Sequence, residues 1–177
     1  LTPGNFPSAT AIAATTAALD ATTAGTLETL IAAQGSIVTG TYTISDTATA
    51  ISDALVGGGS FANATSVTAS NAVLTVQNAT ALEALSSLDD NSSAYTISDT
   101  ATAVAALTPA NFPNATAIAA TTVALDATAA GALETLIAAE GSIVTGTYTI
   151  SDTATVVAAL TPGNFPSATA IAATTAA

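Results

Sequence analysis

The sequence predicts an α/β repeat solenoid, built from parallel β-strands and short Ala-rich helices. Three observations predict it. The octapeptide Tyr-Thr-Ile-Ser-Asp-Thr-Ala-Thr stands at Tyr42–Thr49, Tyr95–Thr102 and Tyr148–Thr155, at a constant interval of 53 residues. Regularity of that kind marks a repeat architecture. Each repeat also holds two similar halves. With Asp20 set against Asp46, Ala11–Ala33 aligns with Ile37–Gly59 without a gap, and Asp126 against Asp152 behaves likewise. The unit coil is thus about 26 residues, in the range of strand-plus-helix solenoids. Third, each half reads as a strand region followed by a helix.

The repeats run over residues 1–54, 55–106 and 107–159, and a fourth starts at 160–177. The second is divergent, with Val56-Gly57-Gly58-Gly59-Ser60-Phe61 in place of the Pro-bracketed loop. No linker separates the repeats, so they predict one continuous solenoid. Residues 1–18 and 160–177 are identical, which predicts a segment of a longer array.

The third repeat shows the elements in order. Ala117–Leu125 is a strand region, weakly signalled because Ala is a poor strand former. Asp126 is a helix-cap residue by type. Ala129–Ala139 is the clearest helix, with Leu133, Leu136 and Ile137 on one stripe. Leu27, Leu30 and Ile31 form that stripe in the first repeat, and Leu82, Leu85 and Leu88 in the second. Ile143–Ser151 is β-branched and aromatic with alternation at Tyr148 and Ile150, a strand bent at Gly146. Ser151-Asp152-Thr153 offers capping oxygens, and Thr153–Leu160 places Val156, Val157 and Leu160 on a shared face. Pro162 and Pro166 end it. Strands stack about 4.8 Å apart and helices about 8–10 Å. Ala-rich helices approach at the low end of that range. A nearly straight rod with a thin core of Ala and Val follows.

Composition excludes several functions. The chain has no Lys, Arg, His, Cys, Met or Trp, and its twelve acids give a net charge of −12. Without cations, phosphate binding and hence nucleic-acid binding are excluded as partners, and anionic membrane surfaces repel the chain. No apolar run of membrane-spanning length is present, so no membrane insertion is expected. No secretory leader is visible. Ser and Thr lack the His or Lys base that nucleophilic catalysis needs. No catalytic, cofactor-binding or metal-ligating residue is assigned, and no small-molecule substrate is evident.

Four residue patterns merit weighing. Asp46, Asp99 and Asp152 recur with the octapeptide and are read as helix caps; the alternative is a calcium-binding stack of carboxylates. Gly57-Gly58-Gly59 lacks the Asp of a calcium β-roll. Asp89 and Asp90 are the one adjacent acidic pair and read as a solvated turn. Tyr42, Tyr95 and Tyr148 form one aromatic ladder, and Phe6, Phe112 and Phe165 another with Phe61 near it. The expectation is that Phe plugs the core under its loop and Tyr stacks between coils. Thr41, Thr43, Thr147 and Thr149, with Thr15-Thr16 and Thr121-Thr122, outline a Thr-rich face. Such a face suits ice or a solid surface, and Thr is also simply a good strand residue. Asn63, Asn78, Asn91 and Asn114 head Asn-x-Ser/Thr triplets.

The stretch Tyr-Thr-Ile-Ser-Asp-Thr-Ala-Thr-Ala-Val-Ala-Ala-Leu at Tyr95–Leu107 resembles the tandem-repeat regions of giant secreted or cell-surface proteins of cyanobacteria and other Gram-negative bacteria. The resemblance covers almost the whole chain. It implies an extracellular or cell-surface location and an adhesive, matrix-forming or coating role, as in a biofilm matrix. The expected function is therefore a non-catalytic structural segment of an extracellular bacterial filament or surface fibre, partnered by itself. The alternative is an adhesin stalk, or an ice- or surface-binding solenoid using the Thr face.

Overall fold

The computed structural model describes residues 12–13, 18–34, 37–121, 123–141 and 143–174. Phe6, Thr15, Thr16 and Thr122, singled out above, lie outside them. The elements run β1 (Ile12–Ala13), β2 (Ala18–Leu19), α1 (Ala21–Gln34), β3 (Val38–Thr39), β4 (Tyr42–Thr47), α2 (Ala48–Val56), β5 (Ala64–Ser70), β6 (Val73–Leu74) and α3 (Val76–Glu83). Then follow β7 (Tyr95–Thr100), α4 (Ala101–Ala105), β8 (Ala115–Thr121), β9 (Ala124–Leu125), α5 (Ala127–Glu140), β10 (Val144–Gly146), β11 (Tyr148–Thr153), α6 (Ala154–Ala159) and β12 (Ala168–Thr174). Short 3-10 turns at Pro109–Asn111 and Pro162–Asn164 lead into β8 and β12. The fold is α/β, and among the described residues every strand pairing is parallel.

The chain divides into two compact units, residues 1–72 with 80–94 and residues 73–79 with 95–177. In the first unit, β1 pairs with β3, and β2, β4 and β5 form a sheet in that order. Leu19 faces Ile44, and Ile44 faces Val67. In the second unit, β6, β7, β8 and β10 are joined in the order β10-β8-β7-β6, and β11 lies between β9 and β12. Leu74, Ile97, Ile118 and Val144 stand opposite one another along the first of these sheets. Leu125, Ile150 and Ile171 do so along the second. Each strand therefore pairs with one a half-repeat away in sequence. Stacked apolar residues of this kind each contribute about 1.5–3 kcal/mol when buried. In β4, Tyr42 and Ile44 are buried, while Ser45, and Thr41 just before the strand, are exposed, as the two-residue period requires.

The strand predicted over Ile143–Ser151 is two strands, β10 and β11, in different sheets. Gly146 turns the chain between them. A Cβ there would lie 2.6 Å from the Ala120 Cβ and 2.7 Å from the Ala120 carbonyl oxygen, so only glycine fits. The Ala-rich region Ala117–Leu125 is likewise split into β8 and β9.

The second repeat departs from expectation. Leu82, Leu85 and Leu88 do not share a helix, because α3 ends at Glu83. Leu88 instead bridges to Val67 in parallel. Leu88 takes the strand position that Val144 holds beside Ile118. From Leu74 to Leu88 the chain has 14 residues, against 19 from Leu125 to Val144, and α3 is correspondingly shorter than α5.

The short helices are capped by threonine. Thr47, Thr100 and Thr153 accept hydrogen bonds from the backbone N–H groups of Ala50, Ala103 and Val156. These satisfy donors that a helix start leaves unpaired. Of the Ser-Asp-Thr triplet, then, the Thr caps the following helix. The Asp has a different partner.

Candidate functional site

Each octapeptide Asp reaches back to the helix of the preceding half-repeat. Asp46 accepts from the Ala21 N–H at 3.0 Å through one oxygen and from the Thr47 N–H at 2.7 Å through the other. Asp99 accepts from Val76 at 2.9 Å and Thr100 at 2.7 Å. Asp152 accepts from Ala127 at 3.0 Å and Thr153 at 2.7 Å. Ala21, Val76 and Ala127 are the first residues of α1, α3 and α5. The carboxylates therefore sit at helix N-termini, where the helix dipole favours negative charge. The Ala127 and Thr153 N–H groups hold the Asp152 carboxyl below the usual carboxylate range. At α5 the start is doubly capped, since Asp126 accepts from the Ala129 N–H at 2.7 Å.

A second set of carboxylates was not anticipated. Glu28 of α1 accepts from the Tyr42 hydroxyl, from the Asn63 N–H at 2.7 Å and from the Asn63 Nδ2 at 2.8 Å. Glu134 of α5 accepts from the Tyr148 hydroxyl at 2.7 Å, from the Ser167 N–H at 2.7 Å and from the Ser167 Oγ at 3.3 Å. Glu134 is only 9 % exposed, and Tyr42 and Tyr148 are fully buried. Burial first, then the hydrogen bond and charge of the glutamate, push both phenols above their ordinary value. A buried charge is tolerable when hydrogen bonds satisfy it, which these do. The signal was in the sequence: Leu-Glu-Thr-Leu stands at Leu27–Leu30 and Leu133–Leu136, placing an acid inside an apolar stripe.

The aromatic expectations divide. Phe61 and Phe112 are buried under their loops, and Phe165 is half-buried. All three offer their carbonyls to the strand three residues on, at Ala64, Ala115 and Ala168. Phe61 is thus a full member of that set. Tyr42 and Tyr148 act through their hydroxyls on glutamate.

Hydroxyls follow the same plan. Thr65, Thr116 and Thr169 each donate, at 3.0 Å, to the carbonyl of Tyr42, Tyr95 and Tyr148. Each sits where the ladder skips one residue, so the hydroxyl replaces the lost ladder bond. Ser70, Thr121 and Thr174 donate to the carbonyls of Asp46, Asp99 and Asp152.

Of the Asn-x-Ser/Thr sites, Asn63 is bonded to Glu28 and Asn114 is buried. Asp89 lies in a turn, accepting from the Asn91 N–H at 3.0 Å. A cavity of about 310 Å³ in the first unit is lined by Leu55, Phe61, Ala81, Leu85, Ser87 and neighbours, with no ionisable side chain. Among the described residues no three acidic side chains converge as a metal site, and no helix is long and apolar enough to cross a membrane. The chain matches no family model, no curated protein and no solved structure.

Proposed function

We propose that this chain is a non-catalytic structural segment of an extracellular bacterial filament or surface fibre. In this reading its half-repeats continue as one solenoid, and its partner is more of the same repeat. One observation carries the reading. The polar groups that could do chemistry are the ones that join half-repeats, and the same bonds recur at matching positions. Asp46, Asp99 and Asp152 each hold a helix start from the preceding half-repeat. Glu28 and Glu134 each join a helix to a tyrosine and to the loop before the next strand. Stability in such an array is a sum of nearest-neighbour terms and grows with repeat number. The strong negative charge keeps neighbouring fibres apart. The Thr-rich face draws less support, since Thr121 donates to the Asp99 carbonyl and Thr43 and Thr149 are half-buried.

Electron microscopy of the fibres, with calcium and in chelator, tests the reading. Long regular filaments that persist in chelator are expected. Fibres that dissolve in chelator would replace it with a calcium-held coat, and isolated short rods with a tethered stalk.

A further inference from the structure

Asn63, Asn78, Asn91 and Asn114 head Asn-x-Ser/Thr triplets, the acceptor pattern for N-linked glycans. The fold separates them. The Asn63 Nδ2 donates to Glu28 at 2.8 Å, and Asn114 is only 5 % exposed. Asn78 is half-buried in the first turn of α3, and its Oδ1 accepts from the Thr75 hydroxyl at 3.3 Å. Asn91 is different, being exposed in the turn that starts at Asp89. Backbone groups hold this turn. The Ser92 and Ser93 N–H groups donate to the Asp89 carbonyl at 3.2 and 2.9 Å, and the Asn91 N–H donates to the Asp89 Oδ1 at 3.0 Å. The Asn91 side-chain amide makes no hydrogen bond among the described residues. A bulky group on its Nδ2 displaces nothing, whereas one on Asn63 breaks a bond to Glu28 and one on Asn114 forces open packed structure.

The sequence singles out the same residue independently. Asp89 stands two residues before Asn91, whereas Phe61, Val76 and Phe112 stand two before Asn63, Asn78 and Asn114. A carboxylate there gives a transferase a charge to pair with through a cationic side chain. We infer that Asn91 is a glycosylation site, and that its glycan comes from a polyprenyl-diphosphate carrier. The Asn91 Nδ2 attacks the anomeric carbon of the carried glycan. The C–N bond forms and the bond from that carbon to the diphosphate oxygen breaks. The lipid diphosphate leaves with the electron pair, and the amide proton passes to a base of the transferase. The fold sets the timing. Ser93, the hydroxyl residue of the triplet, is 8 % exposed; it accepts from the Ala69 N–H at 3.1 Å and donates to the Val67 carbonyl at 3.5 Å. Transfer therefore precedes the closing of this segment onto β5, and the finished turn leaves the glycan in solvent. The first and third repeats have Gln34-Gly35 and Glu140-Gly141 in this place, so the second repeat alone carries the site. The inference rests on reading the chain as extracellular, but it can fail alone.

The test isolates the protein separately from the surface material and from the interior of the cells that make it. Cleavage before aspartate frees Asn91 in a short peptide that ends at Ser98 and holds no other triplet. Mass spectrometry of the surface protein should find this peptide heavier by one glycan, with the sugar on Asn91. The peptides of Asn63, Asn78 and Asn114 should keep their unmodified masses. Asn91→Gln should abolish the added mass, Asp89→Ala should remove most of it, and Asp89→Glu should restore it. Asn91→Gln should leave the thermal melt of the unglycosylated chain unchanged, since nothing in the fold uses that amide. An unmodified Asn91 in the surface protein, or a glycan on Asn63 or Asn114 in its place, overturns the site and leaves the structural reading standing. Protein found only in the cell interior overturns both.

Discussion

Glu28 and Glu134 occupy the same helix position 106 residues apart, yet their surroundings differ. Both accept from a buried tyrosine and from one backbone N–H at 2.7 Å. The third donor is the Asn63 amide at 2.8 Å in one unit and the Ser167 hydroxyl at 3.3 Å in the other. Glu134 is also the more buried. The constant partners are the tyrosine and the backbone, so the loop side chain is free to vary. What is conserved between the two units is an acceptor under a turn, and it survives a change from amide to hydroxyl.

The largest test of that comparison removes the acceptor. Glu134→Ala leaves a buried hydroxyl and a backbone N–H unpaired, and should lower the unfolding free energy in urea by about 3 kcal/mol. Glu28→Ala should cost less, because its half-exposed site admits water. Equal losses would show that burial does not separate the two sites.

The tyrosines come next. Tyr148→Phe removes one of the Glu134 bonds and should cost about 1.5 kcal/mol at neutral pH. The phenols are raised above 10.0 in the fold, so their contribution is fully present below that value and is lost as pH climbs above it. No Lys or Cys titrates in that range. A Tyr42→Phe, Tyr148→Phe double variant should therefore lose much of the alkaline decline in melting temperature. An unchanged decline would count against the buried phenol–glutamate pairs.

A finer contrast lies at the variable donor. Asn63→Ala should cost about 1 kcal/mol, and Ser167→Ala, losing a longer bond, about 0.5 kcal/mol. Thermal melts of the two variants would rank them, and the reverse order would break the distinction drawn here. The smallest effect is expected at Asp152→Asn. This carboxyl is held below its ordinary 3.8, so its stabilisation is present above that pH and lost as pH falls through the lowered value. The variant should flatten the acid arm of the stability profile slightly by lowering the neutral plateau by the same small amount, because the amide nitrogen cannot accept the N–H bond that a carboxylate oxygen took.

Much of the fold was legible. The octapeptide interval, the strand at Tyr148–Ile150, the bend at Gly146 and the helix near Ala129–Ala139 all read correctly because each is a local pattern. The cap of α6 was legible only in part. Ser151-Asp152-Thr153 holds three capping oxygens, and local propensity alone does not choose among them. The structure chooses Thr153 for the following helix because Asp152 is already engaged by α5. The helix through Leu88 was misread for a similar reason. Its spacing is helical, but the shorter stretch between Leu74 and Leu88 leaves Leu88 in a strand position, bridged to Val67 as Val144 is paired with Ile118.

By itself, the sequence determined the composition of the chemistry and the periods. Without His, Lys, Arg or Cys there is no imidazole, cationic side chain or thiol at any position, and alternation and the helical stripe set strand and helix within each half-repeat. Only the tertiary structure decided which carboxylate serves which helix, where the glutamates go, and that Leu88 takes a strand position and not a helical one. Those outcomes depend on what stacks beside a residue, across an interval of 20-odd residues, and a local pattern carries no information about its neighbour.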